Sequence, residues 1–111
     1  MNTISGNPVS IPVSPAVLLC FLPSATTQDG LRERAFMTDL TFRLQQRLPG
    51  SVRILKVDEA LHPEVVKSFH LSQLPAFVLV QQGIERWRQE GVRRFDELTS
   101  LSGMLETMYD E

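Results

Sequence analysis

The residue order predicts an α/β domain built as β-α-β-α-β-β-α, a mixed central sheet with helices on both faces. Three observations carry this. Apolar runs of strand length recur at 16–22, 52–57 and 76–81. Stretches with a helical period or a helix-opening proline stand between them. Gln82-Gly83 then separates two strand-like runs by two residues, the spacing of a tight hairpin. Strands alternating with helices pair in parallel through right-handed crossovers, and the closing hairpin is antiparallel.

Each element follows from its residues. Residues 1–14 hold Asn2, Gly6, Asn7, Pro8 and Pro12 and read as an irregular lead-in; within it Val9 to Val13 alternates and suggests a short edge strand. The domain proper is 15–111. Ala16 to Leu22 is a continuous apolar run of buried-strand type, stopped by Pro23. After the turn "PSATTQDG", a long helix is expected over 29–48. Its apolar positions Leu31, Phe36, Met37, Leu40, Leu44 and Leu48 mark one face, Asp29 or Thr27 caps it, and Pro49-Gly50 ends it. A second strand covers 52–57, closed by Asp58-Glu59. Pro63 opens a short helix over 63–69. Leu74-Pro75 leads into the strand 76–81, the return strand runs 84–90, and Gly91 closes it. A last helix covers 94–109, with Phe95, Leu98, Leu101, Leu105 and Met108 three and four apart.

Composition excludes several functions. The chain has 111 residues, 42% hydrophobic and 22% charged, with a formal net charge of -2. That suffices for one core without disulfides or metal and gives no electrostatic reason to expect nucleic acid or an anionic membrane. Cys20 is the single cysteine, so no intrachain disulfide and no CxxC motif exists. With His62 and His70 eight residues apart, no metal cage is expected. "AVLLCFLPSA" resembles a signal core, but the first basic residue is Arg32, and in "VLLC" the bulky Leu19 precedes the cysteine. The apolar run is far short of a membrane span. A cytoplasmic location is expected.

The stretch from Val52 to Gly91, "VRILKVDEALHPEVVKSFHLSQLPAFVLVQQGIERWRQEG", resembles the thioredoxin-like family. That family has a strand ending in Val-Asp, a short helix, a loop ending in an apolar residue plus proline, an apolar strand, a Gly turn and a strand closing in Gly. Val57-Asp58, 64–69, Leu74-Pro75, 77–80, Gly83 and Gly91 supply those pieces, and the match extends over residues 16 to 109. The resemblance implies a cis bond between Leu74 and Pro75, with the Leu74 backbone turned to a surface groove that pairs with an extended peptide. The plain alternative is a trans proline that opens a strand.

The same resemblance places the reactive thiols at the start of the long helix, where the helix dipole lowers a thiol pKa. Here Thr26-Thr27-Gln28-Asp29 stand at that position. Neither thiol is present, so dithiol-disulfide exchange by this chain alone is excluded. Cys20, within an apolar strand, is read as a buried hydrophobe. Ser24, Thr26 and Thr27 are the hydroxyls that would steer a glutathione thiolate, but Ser, Thr and Asp before an apolar helix also serve as caps.

The run "ERWRQEGVRR" places Arg86, Arg88, Arg93 and Arg94 about Trp87, yet Glu85 and Glu90 interrupt it and no basic stripe results. Asp58 sits at the carboxyl end of a parallel strand, where sites occur and where turn-formers also stand. The expectation is a redox-inactive domain that binds protein or extended peptide, or a chaperone-like accessory protein, with Leu74, Pro75, Ser24, Thr26 and Thr27 as the candidate groove. No cofactor, nucleic acid or membrane is expected. The alternative is a glutathione- or thiol-dependent enzyme or carrier using Thr26, Thr27 or Cys20.

Overall fold

The computed structural model describes residues 15–24 and 26–109. The irregular lead-in and the edge strand expected at 9–13 lie outside them, as does the extreme carboxyl end. Four strands form one sheet: β1 (Ala16–Leu22), β2 (Val52–Asp58), β3 (Ala76–Gln81) and β4 (Ile84–Glu90), in spatial order β2-β1-β3-β4. β1 and β2 are parallel, joined by helix α1 (Gln28–Arg47). β3 runs antiparallel to β1, and β4 antiparallel to β3. The expected element order, element types and mixed sheet are those observed, but parallel pairing holds only for β1 and β2: β3, which follows α2, lies on the other side of β1 and runs antiparallel to it. The run that resembled a signal core is the central strand β1.

Side chains alternate across the sheet with period two. Ala16, Leu18, Cys20 and Leu22 of β1 and Phe77 and Leu79 of β3 enter a first core with Met37, Leu40 and Leu44 of α1. Helix α3 (Thr99–Tyr109) closes that core with Leu101 and Leu105. Phe21, Val57, Ala76 and Val78 point to the opposite face and meet Val66 of the short helix α2 (Pro63–Ser68). Each fully buried Leu, Val or Phe contributes about 1.5–3 kcal/mol, so the first core dominates stability.

The differences from expectation have local causes. Leu48 is extended because it precedes Pro49, so α1 stops at Arg47. The last helix is broken. Phe95–Leu98 is a 3-10 turn in which the Glu97 carboxylate accepts from the Arg93 and Arg94 amides, and the α-helix starts at Thr99. Leu31, expected on the core face of α1, is 54% exposed. It lies nine residues from Leu40, about two and a half turns, and therefore on the opposite side of the helix. The hairpin turn is as expected: Gln82 and Gly83 both have positive φ (53° and 76°), the geometry of a two-residue primed turn.

Candidate functional site

Four chain segments converge at one end of the sheet. Phe21 sits opposite both Val57 and Ala76, and Ala76 opposite Glu90. The segments that leave β1, β2 and β4 therefore lie beside the Leu74-Pro75 segment that enters β3. The sequence-predicted residues fall on two halves of this end, Ser24, Thr26 and Thr27 on one and Leu74 and Pro75 on the other.

On the α1 half, Thr27 is extended and its Oγ1 accepts from the Gly30 amide at 3.0 Å. Its hydroxyl is the helix cap, which satisfies one of the four free amides of the first turn. Thr26 is exposed beside it. The Ser24 amide donates to Glu59 Oε1 at 3.1 Å. Arg34 pins the strand ends, donating to the Pro23 carbonyl at 3.2 Å and pairing with Asp58 Oδ2 at 3.0 Å. Asp58 Oδ1 accepts from the Ala60 amide at 2.9 Å, so this carboxylate forms the turn and the ion pair together.

On the β3 half, the Leu74–Pro75 bond is cis and Pro75 is fully buried. The Pro75 carbonyl accepts from the Val92 amide at 2.9 Å. Glu90 Oε1 gathers the preceding loop, accepting from the Ser72 amide (2.9 Å), the Ser72 hydroxyl (2.8 Å) and the Gln73 amide (3.3 Å). These donors, the Ser72 amide foremost, hold the Glu90 carboxyl at about 2. Arg88 completes the support. It pairs with Glu85 (Nε to Oε2 2.7 Å, Nη2 to Oε1 2.8 Å) and with Glu90 Oε2 (2.8 Å), and donates to the Phe69 carbonyl at 2.8 Å. Gly91, at φ +65°, lets the chain pass: a Cβ there would stand 2.2 Å from Gln73 Oε1.

Arg93 spans the halves. Its Nη1 donates to the Leu74 carbonyl at 3.3 Å and to the Val92 carbonyl at 3.2 Å, and its Nη2 lies 3.5 Å from Glu33 Oε2 on α1. Sequence reasoning had not singled out Glu33. A signal was present: Glu33, Met37, Leu40 and Leu44 follow spacings of four, three and four, so a carboxylate continues the buried stripe toward the helix start. In the sequence Arg93 reads only as part of a basic run. That run does not form one face. Trp87 packs against the first core and donates to Ser100 Oγ at 2.9 Å, Arg88 pairs with glutamates, and Arg94 pairs with Asp96 at 2.9 Å.

Cys20 lies apart from this site. It is 0% exposed in the first core, and burial pushes its thiol far above the ordinary range. His62 and His70 are both exposed, and among the described residues no group of three or more His, Cys, Asp or Glu is placed to hold a metal. None of the described helices is long and apolar enough to cross a membrane. Among the described residues, two hollows lie away from this site. One of about 330 Å³ sits between Leu44 of α1, Leu48 just beyond it, and Leu101 and Leu105 of α3. The other, about 550 Å³, runs along Phe42, Ile54 and Leu55.

No family model and no curated protein matches this chain. Solved structures do. The structure of a malarial protein superposes with a TM-score of 0.65 at 16% identity, covering 86% of this chain and 98% of that one. Thioredoxin-2, a component of the malaria parasite protein secretion machinery, gives 0.65 at 18% identity over 87% of this chain and 88% of its own. A cysteine-to-serine variant of an Entamoeba histolytica thioredoxin gives 0.58 at 23% identity over 85% and 82%. With the strand order and the sheet-end geometry above, these likenesses establish that the chain has the thioredoxin-like fold.

Proposed function

We propose that this chain is a redox-inactive thioredoxin-like domain that recognises protein or extended peptide at the sheet end carrying Leu74, as a binding module or chaperone-like accessory protein. One observation carries the reading: no thiol stands at the helix start, and the Thr27 hydroxyl there is engaged as the cap of α1. A nucleophile needs a positioned base or a lowered pKa. Cys20 has neither, being fully buried with its thiol pushed up. What the sheet end does offer is main chain. Pro75 fixes the backbone direction and lacks an amide, and the Leu74 carbonyl is tied to α1 through Arg93, which donates to it and pairs with Glu33. Main-chain pairing with an added strand gives affinity without chemistry.

The test joins activity and binding. Purified protein is assayed for disulfide reduction and glutathione transfer, Cys20 is probed with a thiol reagent while folded, and partners are captured from native lysate by the wild type, Pro75→Ala and Thr26→Arg. The expected result is no turnover, labelling only on unfolding, and a specific partner lost in both variants. Thr26 is exposed on the α1 half of the sheet end, so Thr26→Arg adds bulk there without touching the core. Measurable turnover that disappears in Cys20→Ser or Thr26→Ala overturns the proposal.

A further inference from the structure

The main-chain acceptor that the proposed site would offer to a peptide already has an occupant. Pro75 has no amide and its carbonyl is taken by Val92, so the Leu74 carbonyl is the acceptor at the entry to β3. Arg93 Nη1 donates to it. An incoming strand that pairs there must displace a guanidinium.

That guanidinium is held loosely. Its contacts measure 3.2, 3.3 and 3.5 Å and its side chain is 53% exposed. Charge-assisted bonds of full strength run at about 2.7–2.9 Å. Arg88, one hairpin edge away, shows that range with all of its partners at 2.7 or 2.8 Å. Arg93 is therefore a ligand of the site that can leave, whereas Arg88 is a fixture.

Displacement has a charge requirement. A neutral peptide that takes the Leu74 carbonyl leaves the guanidinium with the Val92 carbonyl and a single distant carboxylate, Glu33. A peptide with Asp or Glu facing Arg93 returns a carboxylate to it, in the fork geometry guanidinium favours. The surrounding charges are mixed: Glu33 faces the same guanidinium and Glu97 accepts from the Arg93 amide, so an incoming carboxylate competes with Glu33 for Arg93. Arg94 is paired with Asp96 and Arg32 with Asp29, and the capped start of the 20-residue α1 presents its positive dipole end on the same side. We infer that Arg93 is the specificity-determining residue of the site, a displaceable internal ligand that selects extended peptides carrying a carboxylate. This inference rests on the recognition reading above.

The test uses two fluorescently labelled heptapeptides that alternate valine and threonine about a central residue, glutamate in one and glutamine in the other. Fluorescence anisotropy is measured on the wild type, Arg93→Ala, Arg93→Lys and Thr26→Arg. The wild type should prefer the glutamate peptide by about tenfold, a preference that shrinks with added salt. Arg93→Ala should bring the ratio close to one, weakening the glutamate peptide and strengthening the glutamine peptide, and Arg93→Lys should keep part of the preference. A thermal midpoint equal to that of the wild type shows that the fold is intact. If both peptides bind, are lost in Thr26→Arg, and keep the same ratio in Arg93→Ala, the role of Arg93 is overturned while the site stands. If neither peptide binds the wild type, both readings fall.

Discussion

Two arginines, five residues apart on the chain, are used in opposite ways at the same end of the sheet. Arg88 has four contacts at 2.7–2.8 Å, with both oxygens of Glu85, with Glu90 and with the Phe69 carbonyl, and its side chain is 29% exposed. Arg93 has three contacts at 3.2–3.5 Å and a side chain 53% exposed. The first fixes the loop that carries Leu74 through Glu90 and the Phe69 carbonyl; the second donates to the Leu74 carbonyl. Identical chemistry yields a scaffold where the carboxylates converge and a movable cover where a single carboxylate faces it. Geometry, and not residue type, separates the two roles.

Removing the Arg88 scaffold should have the largest effect on stability. Arg88→Met strips the loop of its charge partner and leaves Glu85 and Glu90 as neighbouring like charges. The expected loss is about 2–3 kcal/mol in urea unfolding, because partly buried charges would be left without their counterion. Amide exchange at Ser72 and Gln73 should accelerate with it. A loss below about 0.5 kcal/mol would place Arg88 among ordinary surface pairs.

A smaller effect separates the charge of Glu90 from its shape. Glu90→Gln keeps an acceptor for Ser72 but loses the ion pair, at about 1 kcal/mol near pH 7. The pH dependence has a definite sign. Folded Glu90 holds its charge down to about 2, while the unfolded chain takes up that proton near the usual value of about 4.3. The folded state therefore binds fewer protons in that window, and the stability this carboxylate provides is complete above it and lost as the pH falls through it. The gap between wild type and Glu90→Gln should close on acidification from pH 5 toward 2. A gap that stays constant over that range would mean that Glu90 acts by shape alone.

How much of this was legible in the sequence depended on how far apart the interacting residues lie. Strand and helix periods are local, so the element order could be read directly, and Thr27 as a cap needed only its neighbours. Leu31 was misassigned because a nine-residue separation was counted as one face although it spans half-integral turns. The 3-10 turn at Phe95–Leu98 depends on one glutamate reaching back to two amides, a choice that apolar spacing does not encode. The Arg93 to Glu33 pair joins positions 60 residues apart, and only the fold makes them neighbours. Leu74 and Pro75 are marked by their motif; the side chain that donates to the Leu74 carbonyl is not.

Of the residues at this end, Arg93 should contribute least to stability. Arg93→Ala removes a half-exposed guanidinium with long contacts, and such pairs are worth about 0–1 kcal/mol. Its urea midpoint should match the wild type to within about 0.5 kcal/mol, and a double-mutant cycle with Glu33→Gln should give a coupling no larger. The change should instead be confined to the sheet end, where Leu74 carbonyl chemical shifts move while those of Ser72 and Gln73 stay, because Glu90 and Arg88 still hold that loop. A stability loss above about 1.5 kcal/mol would make Arg93 a second fixture. The carbonyl it covers would then be part of the framework and not an acceptor open to exchange.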